Sequence, residues 1–308
     1  MIRVRVPAST SNLGPGFDVL GLALKCYLQV SASKADKNDD EPNLEVKGEG
    51  AAELSVGKDN LIWQVIEFAA ERENISIPPV RIVIENQIPL SRGLGSSAAA
   101  IIAGLKLFEA ITEHHLDEDK LLSYAMKFES HPDNLAPALM GGLVVNCVTS
   151  DHKVSSVKLS WPSQIKVVIV VPEFRLSTAT AREILPSTVS RQDAIYNVQR
   201  TALFLSALTA GRFDFLREAM RDRLHQPMRQ ALIPGLEEIL SLPQRDGFYG
   251  IALSGAGPSI LALVDSGDNR FEDEIGGSII DIFRNHGIKS SAMALEIDNE
   301  GCTVEGSL

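Results

Sequence analysis

The sequence has few cysteines, and they lie far apart. Its 308 residues include three, Cys26, Cys147 and Cys302. A disulfide framework or a zinc knuckle needs more cysteines at shorter spacings, so neither is expected. Scattered free thiols are typical of a reducing compartment, and we expect a cytoplasmic protein.

A basic excess and a long apolar run are also missing. The chain carries 29 Lys and Arg against 40 Asp and Glu, a formal net charge of −11. Because non-specific nucleic-acid binding needs a basic surface, no nucleic-acid partner is expected. The longest aliphatic run, Val167 to Val171, is far shorter than the roughly 20 residues that cross a bilayer. The opening MIRVRVPAST contains no apolar signal segment. We therefore expect no membrane partner.

The composition that remains is that of a folded protein. Hydrophobic residues make up 44% of the chain and charged residues 22%, which excludes a disordered or fibrous protein. A length of 308 residues allows one large domain or two ordinary ones. The charged run over 34–42 has no apolar period and predicts a solvated loop.

Strand and helix patterns alternate through the first half. The spacing of Ile2, Val4 and Val6 predicts a strand whose length Pro7 limits. Further strands are predicted over 25–31, 80–85, 143–148 and 154–159, with helices after caps at Asp59 or Asn60, after Asp117, and after a glycine-bearing loop before residue 96. The helix after Asp117 is expected to end near 130–132, because proline disfavours helical geometry in the residue before it.

After Pro162 the order of elements changes. A strand over 165–171 precedes helical patterns near 178–185, 190–210, 212–224 and 235–242, strands at 249–254 and 259–264, a helix near 271–286 and a strand near 289–296. This is the order of a ferredoxin-like split βαβ unit. We therefore predict an α+β fold of two domains: residues 1–163, mixed α/β with the glycine-bearing loop, and residues 164–308, ferredoxin-like.

The sequence over 93–99, Gly-Leu-Gly-Ser-Ser-Ala-Ala, leads directly into one of the predicted helices. Glycine lets the backbone approach a ligand closely, and the first amides of a helix lack intrahelical partners, so such an end attracts phosphate. Ser96 and Ser97 could act as caps, phosphate donors or magnesium ligands. The missing GK[ST] argues against a Walker P-loop. A tight turn with serine caps explains the same residues, and the local sequence leaves both readings open.

Two other segments are rich in glycine. Residues 254–259, SGAGPS, join two predicted strands and alone indicate only a hairpin loop. Residues 7–24, PASTSNLGPGFDVLGLAL, place Asn12 and Asp18 between strands. This segment has more glycine and short polar residues than a plain connection needs, which is typical of a site.

Together, and in this order, the three loops resemble the three motifs of the GHMP kinases, a family that includes galactokinase, mevalonate kinase and homoserine kinase. The resemblance covers essentially the whole chain. Five segments resemble the homoserine kinase branch in particular: 7–24, 89–100, 131–142, 181–186 and 222–235. The resemblance implies the two-domain GHMP fold. It also implies phosphoryl transfer from ATP, with Mg²⁺, to the side-chain hydroxyl of L-homoserine, a step of threonine biosynthesis.

The resemblance assigns candidate site residues as well. For the nucleotide phosphates it implies a loop of Pro89, Leu90, Ser91, Arg92, Gly93, Leu94, Gly95, Ser96, Ser97, Ala98 and Ala99. For magnesium it implies Ser97 and Glu129. For the amino-acid substrate it implies Asn12, Asp18, His131, Thr178, Arg182, Arg229 and Gly257, and for catalysis Asn134, Arg182 and Asp133.

The chemistry of the implied substrate suits these residue types. L-Homoserine is a zwitterion with a hydroxyl group, so its pocket needs a cation, an anion and a polar group. Arg182 and Arg229 can hold a carboxylate or a γ-phosphate in bidentate geometry. Asp18 is the first candidate for the ammonium group and Asp133 the second. His225 is expected to lie behind these residues.

Asp133 and Asn134 leave the fate of the hydroxyl proton open. Some GHMP kinases use an aspartate as base, whereas the homoserine kinase branch places an asparagine there. A loose transition state demands little from a base. We therefore favour Asn134 holding the hydroxyl in line, with Ser97 and the loop amides stabilising the phosphate charge.

Two other functions stay open. A GHMP kinase of another alcohol, such as mevalonate, would bind one carboxylate and no ammonium group. A ligand sensor of the same fold would have lost turnover, but Ser97, Glu129 and both arginines argue against that loss. The family also implies a homodimer, although no stripe of the sequence defines an interface.

Overall fold

A computed structural model describes residues 1–35, 43–267 and 270–308. The charged run that predicts a solvated loop falls, from residue 36 to residue 42, outside the described residues. Along the described chain the strands are β1 (Ile2–Asn12), β2 (Gly16–Lys34), β3 (Asn43–Gly48), β4 (Val80–Asn86), β5 (Leu143–Val148), β6 (Val154–Leu159), β7 (Ile165–Pro172), β8 (Phe248–Leu253), β9 (Ile260–Asp265), β10 (Ser290–Leu295) and β11 (Thr303–Glu305).

Helices lie between many of these strands along the described chain. They are α1 (Leu61–Glu73), α2 (Ser96–Thr112), α3 (Glu118–Ala125), α4 (Pro132–Met140), α5 (Thr178–Glu183), α6 (Arg191–Ala210), α7 (Leu216–Ala219), α8 (Gln226–Arg229), α9 (Leu236–Leu240) and α10 (Arg270–Asn285), with a 3₁₀ turn at Phe213–Phe215.

The first sheet is built around the long hairpin of β1 and β2. Its order is β11-β1-β2-β4-β3, and β5 joins β2 with β6 at its other side. The 19-residue β2 pairs with β5 through its first half and with β4 through its second. Helix α2 packs against α1, α4 and strands β1 and β2, and buries Ile101, Leu105 and Phe108 completely. This layer fixes where α2 and α4 begin.

The second sheet is antiparallel, with the order β10-β7-β9-β8. Counted along the chain, its strands stand fourth, first, third, second, with α10 packed against β7, β9 and β10. The ferredoxin-like prediction is therefore confirmed. The chain passes between the sheets after Leu159 and before Ile165, and β11 then returns to β1. A division into two domains at residue 163 stays a prediction.

Several element predictions are wrong in their limits. Strand β1 continues through Pro7, because a register shift between Pro7 and Ala8 accommodates the residue that lacks an amide donor. The helix expected over 212–224 is broken into the 3₁₀ turn and α7. Helix α3 ends at Ala125, and α4, which the sequence reading misses, begins with Pro132 at its first position.

Candidate active site

A cleft of about 390 Å³ lies where elements of the two sheets meet. The loop before α2 forms one wall. The first turns of α4 and α5 and the end of α8 form another. Most of the predicted site residues line it: Asn12, residues 89–98, Glu129, His131, Asp133, Asn134, Thr178, Arg182 and Arg229. The three loops that are far apart in the sequence therefore meet at one cavity.

The phosphate-loop wall is made of backbone. Gly95 precedes α2 with φ +68°, and a Cβ there would lie 2.0 Å from Ser9 Oγ, so only glycine fits. The first amides of the helix, including those of Ser96 and Ser97, have no intrahelical acceptor, and no side chain caps them. Ser97 is exposed on the cleft. This end presents donors and the positive end of a helix dipole to a ligand.

Arg92 fastens this loop to the second sheet. Its Nε donates to the carbonyl of Pro172 at 2.9 Å, its NH2 to that of Glu173 at 2.9 Å, and its NH1 to that of Leu90 at 3.3 Å. Ser254 Oγ adds a bond to the Gly93 carbonyl at 2.6 Å. The Arg92 donors are thus engaged with carbonyl groups, and the side chain supports the loop.

Asn134 is held by two serines of β1. Ser9 Oγ donates to Asn134 Oδ1 at 2.9 Å, and Asn134 Nδ2 donates to Ser11 Oγ at 3.0 Å. The first turn of α4 lies directly on β2, because a Cβ at Gly21 would be 1.8 Å from the carbonyl oxygen of Asp133. The sequence reading misses both serines, which lie in the part of β1 that is buried without interruption from Val6 to Asn12.

Asp133 is almost fully buried, with 3% of its surface exposed. Burial, and then the charge of Asp18, raise the pKa of its carboxyl group to about 7, while a hydrogen bond with Ser11 acts in the opposite direction. The neighbouring Asn134 Nδ2 lies 3.4 Å from Asp133 Oδ1. Two adjacent residues thus present one group that titrates near neutrality and one that does not.

Arg182 and Asp18 form a bidentate ion pair. NH2 of Arg182 lies 2.5 Å from Asp18 Oδ1, and NH1 lies 3.2 Å from Oδ2. His131 Nε2 is 3.5 Å from the same Oδ2 atom, and burial lowers the pKa of this histidine. Asp18 is therefore placed beside the cleft and reaches it through Arg182.

Arg229 is buried, with 1% of its surface exposed. Its Nε donates to the Ala181 carbonyl at 3.1 Å, and NH1 donates to the Gly255 carbonyl at 3.1 Å and to His225 Nδ1 at 3.0 Å. The His225 ring therefore carries its proton on Nε2, which donates to the Gly14 carbonyl at 2.8 Å. Burial, and then the charge of Arg182, lower the pKa of Arg229 to about 10. His225 lies behind the arginine, as expected.

Glu129 and Thr178 lie on opposite elements around the cleft. Glu129 follows α3, and burial raises the pKa of its carboxyl group while the Arg182 charge lowers it. Thr178 is the exposed first residue of α5, whose N-cap is Ser177. Gly257 does not line the cleft; it packs against the phosphate loop, where a Cβ on Gly93 would lie 3.0 Å from its backbone nitrogen.

Within residues 1–35, 43–267 and 270–308, no three His, Cys, Asp or Glu side chains are grouped as a metal site. In the same ranges, no helix has both the length and the apolar character needed to cross a bilayer.

Comparison with known proteins agrees with this geometry. Residues 60–142 match the family model of the GHMP kinases N terminal domain, and residues 204–275 match that of the GHMP kinases C terminal. The chain belongs to the GHMP kinases, a class of ATP-dependent kinases that act on alcohols.

Within that family, the chain is similar to homoserine kinases. It is 41% identical over 304 residues to the homoserine kinase of Desulfitobacterium hafniense, covering 99% of this chain and 100% of the relative. It is 41% identical over 307 residues to that of Persephonella marina, covering 99% and 98%. The crystal structure of homoserine kinase from Cytophaga hutchinsonii superimposes with a TM-score of 0.84 at 28% identity, covering 99% of this chain and 97% of that one.

Proposed function

We propose that this protein transfers the γ-phosphoryl group of ATP to the side-chain hydroxyl of L-homoserine. The observation that carries the proposal is one cavity with an uncapped helix end at one side and the group of Arg182, Arg229 and Asp18 at the other. The first feature suits a phosphate chain and the second a zwitterion. The full-length similarity to homoserine kinases supports the same substrate.

The nucleotide is proposed to lie along the loop before α2. The amides of Ser96 and Ser97 would donate to phosphate oxygens, and the apolar part of the cleft, lined by Leu54, Leu61 and Ile84, would take the base. Arg92 would act indirectly, because its donors already hold carbonyl groups.

The residues present fit a magnesium ion bound together with nucleotide phosphates. Ser97 and Glu129 supply hard oxygen donors to the same cleft. The Glu129 carboxyl group has a pKa raised by burial, so a cation beside it would favour its charged form. Two protein ligands suffice for Mg²⁺, which keeps several waters and binds the substrate phosphates. When bound, the ion would neutralise the charge on the β- and γ-phosphates.

Arg182 and Arg229 are proposed to receive the α-carboxylate of the substrate. Asp18 would receive the ammonium group. Asp18 is paired with Arg182. The substrate would separate this pair, because its carboxylate would bind Arg182 and its ammonium group would bind Asp18. A kinase of mevalonate would have no use for the anionic member of this pair.

Asn134 is proposed to hold the hydroxyl in line with the phosphorus atom. Its amide is oriented by Ser9 and Ser11 and lies beside the loop, so its contribution would be positioning. Asp133 has a pKa near 7 and could accept a proton, but a loose transition state requires little proton transfer before the phosphorus–oxygen bond breaks.

A coupled assay of ADP release tests the substrate assignment. L-Homoserine, mevalonate and galactose are supplied in parallel, with and without Mg²⁺. We expect turnover only in the reaction that contains both homoserine and Mg²⁺. Turnover with another alcohol would indicate a different GHMP kinase, and no turnover with any alcohol would favour a ligand sensor.

Variants at the two adjacent residues test the role of the base. If positioning dominates, Asn134→Ala lowers kcat on the order of 10²-fold, whereas Asp133→Asn changes it less. A loss on the order of 10²- to 10⁴-fold in Asp133→Asn, with Asn134→Asp unchanged, would assign the base to Asp133 instead.

We further propose a homodimer in the cytoplasm. The location rests on the three scattered thiols and the acidic composition, and the dimer on family resemblance alone. Light scattering of the purified protein measures its oligomeric state directly.

A further inference from the structure

One aromatic ring contacts both arginines of the cleft. The centroid of the Phe17 ring lies 5.1 Å from Cζ of Arg182 and 5.7 Å from Cζ of Arg229. The ring also stacks on His225, with centroids 5.1 Å apart and planes inclined by 22°. Both guanidinium groups are thus within the roughly 6 Å range of a cation–π contact.

The backbone around Phe17 is fixed on both sides. Before it, the Pro15 carbonyl accepts hydrogen bonds from Asn197 Nδ2 and Thr201 Oγ1, each at 3.1 Å. After it, Asp18 has φ +60°, and its amide donates to Asn12 Oδ1 at 3.1 Å. A ring held in this way has little freedom to follow a moving guanidinium group.

The two arginines need such a support because they repel each other. Arg182 is paired with Asp18, but the hydrogen bonds of Arg229 go to two carbonyl groups and to the neutral ring of His225. The negative face of an aromatic ring attracts a cation without carrying a formal charge. It therefore attracts both guanidinium groups without adding a further anion that would compete with the substrate carboxylate.

We propose that Phe17 is a positioning residue for the α-carboxylate of the substrate: its ring holds the Arg182 and Arg229 guanidinium groups as a pair that binds one carboxylate. This inference rests on the proposed function, since it concerns the same substrate. Phe17 itself touches neither the nucleotide nor the reacting hydroxyl in this arrangement.

The test compares ligands that differ only by the carboxylate. In Phe17→Leu, the KM for L-homoserine rises about 10-fold, equivalent to about 1.4 kcal/mol, while the KM for ATP stays within about twofold. The inhibition constant of 3-aminopropan-1-ol, which is homoserine without its carboxylate, also stays within about twofold. Phe17→Tyr keeps the π face and restores the KM for homoserine to within about threefold.

Phe68→Leu is the matched control. The half-buried Phe68 has the guanidinium group of Arg72 5.2 Å from its ring centroid and lies on α1, outside the cleft lining. The Phe68→Leu variant should leave unchanged the KM for homoserine, the KM for ATP and the inhibition constant of 3-aminopropan-1-ol. Circular dichroism checks folding, and Phe17→Met replaces Phe17→Leu if the latter is unfolded.

Three results would overturn the inference: parallel changes for homoserine and 3-aminopropan-1-ol, no rescue by tyrosine, or the same rise in Phe68→Leu. Failure of the wild-type protein to phosphorylate homoserine would instead reject the proposed function. The two failures are therefore distinguishable.

Discussion

The two ends of the cleft are built from different parts of the chain. The phosphate end consists of consecutive residues whose backbone amides face the cavity, and the Arg92 side chain supports the loop. The alcohol end consists of side chains from β1, β2, α4, α5 and α8, joined by ion pairs and hydrogen bonds. The first end therefore depends on backbone conformation, and the second on charge and on the docking of the two sheets.

The largest loss is expected from a change of backbone at the phosphate end. Gly95→Ala places a Cβ 2.0 Å from Ser9 Oγ at a residue with φ +68°, so the loop must move. We expect kcat/KM to fall by about 10³-fold for both ATP and homoserine, because the amides are displaced. Steady-state kinetics with each substrate varied in turn measures this loss.

Gly211→Ala separates strain from site geometry. Gly211 has φ +66°, and nothing lies within 4 Å of its ideal Cβ. We expect this variant to lose about 1 kcal/mol of stability and no activity. Equal loss of activity in both glycine variants would show that the phosphate end has no special sensitivity.

The next loss is expected at the alcohol end and should affect one substrate only. Arg229→Lys removes the planar donor group that His225, Ala181 and Gly255 hold in place. Since lysine cannot reproduce a bidentate contact, the KM for homoserine should rise about 10²-fold while the KM for ATP is unchanged. Initial rates at saturating ATP give the first value.

Arg217→Lys is its control. Arg217 is half-buried, and its NH2 donates to the carbonyl groups of Leu240 and Leu242 outside the active-site cleft. An equal rise in KM in this variant would mean that any buried arginine of the second half affects the site.

The same contrast explains what could be predicted from the sequence. The phosphate loop is recognisable because its glycines, serines and helix are consecutive, so local geometry alone places them together. The pairing of Asp18 with Arg182 cannot be recognised in this way, because the two residues lie 164 positions apart and only the docking of the two sheets makes them adjacent. The family resemblance identifies these two residues as site residues, and only the fold shows that they contact each other.

Misses have similar causes. Ser9 and Ser11 lie on a strand whose length Pro7 is expected to limit, and the register shift by which the strand continues has no local signature in the sequence. Helix α4 is missed because Pro132 is interpreted as the end of the preceding helix, although proline is well suited to the first turn of a new one. The choice between Asp133 and Asn134 depends on burial, which adjacent positions in a sequence do not reveal.

The buried carboxyl group at the alcohol end should make stability depend on pH. Asp133 has a pKa of about 7 in the folded protein against 3.8 for the ordinary group, so the folded state retains a proton that the unfolded state has lost between these values. The contribution of Asp133 to stability is thus most favourable below pH 3.8 and falls as the pH rises to about 7. Between pH 5 and pH 8 the wild type should lose on the order of 2 kcal/mol relative to Asp133→Asn.

Urea unfolding of Asp133→Asn at both pH values checks this dependence. The amide does not titrate, so the loss should disappear. Asp214→Asn is the comparison, since the exposed Asp214 has a pKa lowered by its hydrogen bond with Arg212 and titrates below this interval. If the wild type and Asp133→Asn show the same change in stability between the two pH values, Asp133 is ionised in the folded state.

The smallest effect is expected from the ion pair at the rim of the phosphate end. Glu53 and Arg175 are exposed and form a bidentate pair, with NH2 of Arg175 2.7 Å from Oε1 of Glu53, between the segment after β3 and the segment after β7. The geometry resembles that of the pair between Asp18 and Arg182, but solvent screens it, so its contribution is small. Glu53→Gln should therefore change the KM for ATP by less than about twofold, at low and at high salt alike. A larger rise that grows as salt is lowered would show that the phosphate end, too, relies on side-chain charge, and the contrast between the two ends would then fail.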